Sequence, residues 1–218
     1  MGEVELDYGT GQLNIVSIFV FYGDAAAADL SVKIGEDIAA AWNEPRAQIR
    51  IGSESWLVNF EIEGRYESEI NPDLVWYSTN PRMNFFRIEE YAEGNISYVD
   101  GVGSNTGYFK FDNLLNLSTT AAHEYGHTLG LYHPQNLDIR GMGQPGIMYP
   151  RGTICDPPFQ YDPHAKPLAA GGTLNPALRK VLVSDIQDLK LEKLRFRNNK
   201  ALLGEFTNLF HAKHALLS

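Results

Sequence analysis

The hydrophobic pattern divides the chain into short blocks of differing period. Residues 13–21 (LNIVSIFVF) are apolar and rich in β-branched and aromatic side chains, which predicts a buried strand. Leu30, Ile34, Ile38 and Trp42 follow at intervals of four and mark one face of a helix over 28–43, which Pro45 stops. Ile49 and Ile51 begin a second strand, and a strand–helix–strand opening favours a sheet with at least two parallel strands. Over 56–62, Trp56, Val58, Phe60 and Ile62 alternate with Leu57, Asn59 and Glu61. This is a half-buried strand, expected to pair with 47–52 through Gly52-Ser53-Glu54-Ser55. Asn71-Pro72-Asp73 and Asn80-Pro81 make 71–82 read as loop around an apolar patch, Leu74 to Tyr77. Weaker strand patterns lie at 85–91, 96–99 and 107–111.

After Asn113 the period becomes helical. Leu114, Leu117, Ala121, Leu129 and Leu131 fit a helix with Ser118, Thr119 or Thr120 near its N-cap, ended by Gly130 and Pro134. Residues 134–182 are rich in proline and glycine and read as a long irregular segment, a kind of loop that tends to carry function. Ser184-Asp185-Ile186-Gln187 resembles a capping box and opens a last helix, with Ile186, Leu189 and Leu194 turned inward. The expected fold is α+β: an α/β-like N-terminal part with a twisted, mixed, mostly parallel sheet, then a smaller irregular part with a terminal helix. One domain spans 1–218, with subdomains at about 1–133 and 134–218.

Composition narrows the class. The chain has 218 residues, 44% of them hydrophobic and 21% charged, which suits a globular domain and excludes a disordered or collagen-like chain. With 18 Lys+Arg against 27 Asp+Glu, the net charge of −9 argues against a nucleic-acid partner. The single cysteine, Cys155, cannot form an internal disulfide. The longest apolar run, Ile15 to Phe21, is too short to span a membrane. It follows Glu3, Glu5 and Asp7 rather than the basic start of a signal peptide.

The candidate chemistry lies in His123-Glu124-Tyr125-Gly126-His127-Thr128-Leu129-Gly130-Leu131-Tyr132-His133. On a helix, His123 and His127 project from one face, so both imidazoles can reach one ion. Gly130 lets the chain turn sharply and bring round His133 as a third ligand. Three neutral nitrogens leave a fourth position on zinc open to water, the arrangement of a catalytic site. Glu124, beside the first ligand, is placed to take that water's proton. The alternative, incidental histidines on a buried helix, would bury three polar rings without partners.

This run resembles the extended zinc motif of the metzincin metalloproteases. Gly146-Ile147-Met148-Tyr149-Pro150 resembles their Met-turn, with Met148 beneath the metal. Met-Tyr-Pro is similar to the matrixin branch and His133-Pro134 to the serralysin branch. Pro150 occupies the place of a tyrosine that ligates zinc in some branches, so no tyrosine ligand is carried over. No histidine precedes His123, which removes a matrixin-type second zinc site on histidines. Calcium at Asp100 or Asp112 is the only further metal considered. The resemblance implies a monomeric zinc endopeptidase acting on proteins or peptides, secreted or extracellular, although no signal peptide is present and a cytoplasmic location stays open. It also implies a substrate lying along an edge strand from 85–102, and a pocket for the residue after the cut walled by 142–170. Pro157, Pro158, Phe159, Tyr161 and Leu168 would make that pocket apolar. Two other readings stand beside it: a catalytically silent binding module, and an effector or toxin domain excised from a larger polypeptide and held by a proteinaceous inhibitor. Cys155, His164, His211 and His214 are read as bystanders, the last two as solvated.

Overall fold

The computed structural model describes residues 1–116 and 118–215. Leu117, expected on the helix that carries the motif, lies outside them. The strands are β1 (Gly2–Asp7), β2 (Gln12–Tyr22), β3 (Gln48–Ile51), β4 (Glu54–Tyr66), β5 (Met83–Glu89), β6 (Tyr98–Val99), β7 (Thr106–Lys110) and β8 (Lys200–Leu203). The helices are α1 (Ala28–Asn43), α2 (Pro72–Trp76), α3 (Thr120–Thr128) and α4 (Val183–Asp188).

All eight strands form one curled, mixed sheet in the order β3-β4-β2-β5-β7-β6, with β1 and β8 branching from β2. Its centre, β4-β2-β5-β7, is parallel, and both margins are antiparallel: β3 on β4 and β6 on β7. One edge of β2 pairs with β4 along most of its length; the other pairs with β1 over 12–16 and with β5 over 18–22. β5 and β7 are almost continuously buried, as parallel strands covered on both faces are.

The strand–helix–strand unit is present, but it runs β2-α1-β4. β3, the strand expected from Ile49 and Ile51, is the outer arm of the expected hairpin with β4 and not the parallel partner of β2. Ile51 pairs directly with Glu54, so the turn is Gly52-Ser53 alone. Residues 71–82 hold α2 rather than only loop. The Asn71 side chain accepts from the Asp73 N–H at 2.9 Å and Pro72 stands in the first turn, so the same residues that punctuate loops start a helix here. α4 has only six residues and its N-cap is Leu182, not Ser184. Leu194 falls beyond a 3₁₀ turn at 191–193. No terminal helix closes the described chain; β8 returns to pair with β1.

α1 and α3 share one aromatic layer on the sheet. Trp42 of α1 lies 5.2 Å from Phe60 and 5.6 Å from Tyr125 of α3, ring centre to ring centre, and Tyr125 lies 5.6 Å from Phe19. The Trp42 indole donates to Ala122 O at 3.0 Å, fastening the two helices. On the opposite face Val20, Tyr22 and Phe85 pack under Val75 of α2 and Phe210.

Gly35 and Gly64 let α1 settle onto β4, and a Cβ on Gly64 would lie 1.8 Å from Ser31 O. Neither backbone can give way without lifting the helix. Gly64→Ala should therefore cost more than about 3 kcal/mol in urea denaturation. Gly152→Ala, whose Cβ would meet nothing within 4 Å, should change stability by less than about 0.5 kcal/mol. Equal losses for the two would remove the close approach as a determinant of the fold.

Candidate metal centre

α3 is nine residues long and ends where Gly130 takes a φ of +99°. Leu131 N–H then reaches back to Gly126 O at 3.0 Å and Gly130 N–H to His127 O at 3.0 Å, a Schellman closure that glycine makes easy. The turn reverses the chain over the helix end and carries His133 to the two helix histidines.

Each helix imidazole is oriented by a carbonyl. His123 Nδ1 is 2.7 Å from Ile147 O and His127 Nδ1 is 2.7 Å from Leu131 O. A carbonyl can only accept, so Nδ1 carries the proton in both rings and Nε2 is left with its lone pair. Both of these Nε2 atoms lie 3.0 Å from His133 Nε2. Where His133 Nε2 also keeps its lone pair, the three lone pairs repel at that distance unless a cation joins them. Tetrahedral zinc with nitrogens at about 2.0–2.1 Å would hold its ligands about 3.3 Å apart, within a few tenths of the spacing found. Among the described residues, His123, His127 and His133 form the one group of three or more such side chains able to hold a metal.

Burial favours the neutral form of all three rings. It holds His123 well below the ordinary imidazole range, with the Arg179 charge adding to the effect. It pulls His127 down to about 4 and lowers His133. Neutral imidazole is the form that binds metal. Arg179 Nη1 also lies 2.9 Å from His123 Nδ1. With Nδ1 protonated toward Ile147 O, both nitrogens carry hydrogen, so that contact is a close approach and not a hydrogen bond.

Glu124 is buried, and burial pushes its carboxyl up to about 8 against the pull of Arg179. Its side chain lines both lobes of the cleft, as do His123 and His133. One lobe runs along β6, the end of the strand order and the edge expected within 85–102. The other, of about 330 Å³, is walled by Pro150, Arg151, Gly152, Pro176 and Arg179.

Met148 is buried beneath α3, and a Cβ on Gly126 would meet its sulfur at 2.3 Å. Only glycine at 126 lets the turn sit this close. The turn at 146–149 is held from α4 as well: Asp185 accepts from Leu182 N–H at 2.7 Å and from Ile147 N–H at 3.4 Å.

Other expectations need revision. Pro157, Pro158, Phe159, Tyr161 and Leu168 do not line the lobe beside Glu124. Phe159 instead packs on a separate small core of Ile139, Cys155 and Leu174, while Tyr161 and Leu168 are exposed. His211 and His214 are not simply solvated: His211 bonds Asp100 at 2.8 Å, and His214 stacks on Tyr108 with centres 4.0 Å apart. Asp100 also accepts from Thr106, and Asp112 pairs with Lys110. His164 is exposed, as expected of a loop residue. Arg179 carried no signal in the sequence, because nothing in its neighbourhood repeats or spaces toward the motif. No family model matches the chain, and no curated protein matches it. No described helix is long and apolar enough to cross a membrane.

Asp185 gives a stability test of the turn. Burial raises its carboxyl to about 6 despite the two backbone donors. The folded state therefore holds this proton more tightly than the unfolded chain, and stability falls as pH rises from about 4 to about 6. Asp185→Asn keeps an acceptor without the charge. It should flatten that part of the stability profile by up to about 3 kcal/mol and be at least as stable as the parent at pH 7. Thermal melts across pH 3.5–7.5 decide this; an unchanged slope would place the titration elsewhere.

Proposed function

We propose that the chain is a zinc-dependent endopeptidase of the metzincin type, with His123, His127 and His133 as zinc ligands and Glu124 as general base. The observation that carries this reading is the convergence of three imidazole Nε2 atoms, two of them on rings whose Nδ1 faces a carbonyl, in one cleft with a carboxyl group that makes no hydrogen bond among the described residues and bordered by a sheet edge. Where carboxylates only support structure, they are normally hydrogen-bonded when buried. Glu124 makes no side-chain hydrogen bond among the described residues, and its oxygens are not among the sealed, unpartnered atoms.

A zinc ion at the triad would supply a Lewis acid for the scissile carbonyl and acidify the attacking water. The chain's own groups account for the rest. β6 offers backbone partners to an extended peptide, which sets the scissile bond across the histidines. Glu124 accepts the proton of the water as it attacks the carbonyl carbon, then returns it to the departing nitrogen. The Ile147 and Leu131 carbonyls keep the two helix imidazoles in one tautomer and one orientation throughout. Met148, packed into Gly126, supports the helix from below and takes no part in proton transfer.

Protein purified without added metal should contain close to one zinc per chain by elemental analysis. Glu124→Gln should keep the zinc and the fold while peptidase activity on a mixed peptide library falls at least about 100-fold. His127→Ala should lose both zinc and activity. Activity of Glu124→Gln within a few-fold of the parent would sink the assigned base, and folded parent that refuses zinc would sink the metal site.

A further inference from the structure

We propose that the lobe walled by Pro150, Arg151, Gly152 and Arg179 is an anion subsite, which selects an Asp or Glu side chain immediately after the scissile bond. The assignment rests on the peptidase reading for its position and on the arginines for its chemistry. An apolar wall was expected there; the side chains that would have made it lie elsewhere.

Arg179 is only 6% exposed. Its Nε donates to Thr119 Oγ1 at 3.0 Å and to Pro176 O at 3.3 Å, and Nη1 donates to Tyr149 O at 3.0 Å. These partners are neutral. They fix the plane of the guanidinium without balancing its charge. Among the described residues, no carboxylate forms an ion pair with Arg179 or with Arg151. The chain has 27 acidic residues and a net charge of −9, so the lack of a partner is not for want of carboxylates. A buried charge without a counterion is costly, and arginine is rarely left so unless an anion visits.

The guanidinium is also open on the correct side. Nη2 makes no hydrogen bond among the described residues, yet it is not among the sealed atoms without partners. Arg179 lines the lobe, so that face of the fork meets the cleft. Arg151 lines the same lobe, and its exposed side chain donates from Nη2 to Asn113 Oδ1 at 3.3 Å. Arg151 and Arg179 place two cations on one lobe, and their charges repel. A carboxylate between them would relieve this repulsion. Ser97, Asn113 and Thr120 add neutral polar groups to the wall, and about 330 Å³ suits a short acidic side chain. A purely structural strut accounts for the Nε and Nη1 bonds, but not for a cation that has no ion-pair partner among the described residues and faces a cavity it shares with Glu124.

The test uses the tripeptide amides Glu-Ala-Ala and Gln-Ala-Ala, which mimic the product side of the cut, titrated into zinc-loaded protein by calorimetry. The parent should bind the Glu peptide about ten- to a hundred-fold more tightly than the Gln peptide, the usual worth of a charge-assisted contact. Arg179→Gln should erase the difference, and Arg151→Glu should cut it several-fold or reverse it. If Arg179→Gln fails to fold, Arg151→Glu, on an exposed side chain, still decides. Equal binding of the two peptides, no binding of either, or a preference that survives both substitutions would overturn the subsite. A peptide-library digest separates this from the peptidase reading. Cleavage dominated by apolar or basic residues after the cut rejects the subsite alone. A library left uncut while the binding difference persists rejects the peptidase reading alone.

Discussion

The chemistry of this chain depends on how one short helix is held. α3 has nine residues, too few to persist by itself in water. It includes two histidines and a glycine, none of them strong helix formers. Its stability comes from Tyr125, which is completely buried between Phe19, Trp42 and Phe60 and shares a hydrogen bond with Ser17 at 2.9 Å. With Tyr125 and the two alanines fixed toward the sheet, helical geometry sends His123, Glu124 and His127 to the other side. The same Trp42 that packs on Tyr125 accepts no freedom in α1, because its indole is bonded to Ala122 O. α1 is in turn seated on β4 through Gly35 and Gly64. A displacement anywhere in that stack would move the imidazoles.

Electrostatics around the helix differ sharply from the rest of the molecule. Elsewhere charges pair, at the surface as Lys33 with Asp37, Arg65 with Glu63 and Lys180 with Glu44, and in a more buried setting as Arg87 with Glu89. Exposed pairs of this kind contribute little to stability. At the cleft, the His123 imidazole, the Glu124 carboxyl group and the Arg179 guanidinium are buried with no ion pair among them, while His127 is half-buried and His133 exposed. Such an arrangement opposes folding, and the aromatic stack beneath offsets it. Local departures of this kind from the rules of stability are where function is normally found.

The sequence revealed those parts whose signal is local. α1 shows in four apolar residues at one spacing, β4 in strict alternation, and the histidine cluster in its spacing and in the glycine that turns the chain. The strands β1 and β8 were less visible. GEVELD alternates but is short and half acidic, and KALL is too short to stand out. Asn-Pro-Asp marks either a loop or a helix start, and the choice depends on Val75 finding a core, which no local pattern states. Arg179 is the extreme case. Its partners, Thr119, Tyr149 and Pro176, are spread over the second half of the chain, and only folding brings them to one guanidinium. Motifs record what must be adjacent in sequence; specificity is assembled from residues that need only be adjacent in space.

That distinction also explains why the tail beyond β8 matters to the cleft. Thr207 donates to Asn105, Asn208 donates to Ser78 O, and His211 and His214 engage Asp100 and Tyr108. These contacts tie the tail to the loop that follows β6 and to β7. The loop is joined to the helix end as well: Gly103 N–H donates to His127 O at 2.7 Å, while Glu205 N–H donates to Gly103 O at 2.8 Å. A continuous chain of backbone hydrogen bonds thus runs from the tail, through Gly103, to the residue that supplies the second imidazole. The cleft rim near β6 and the helix end are held by one set of contacts. The relative position of β6 and the histidines is therefore set by residues more than seventy positions after the motif. His211 and His214, read as bystanders in the sequence, belong to that set. They bind nothing at the site, and they hold the edge against which the site is measured.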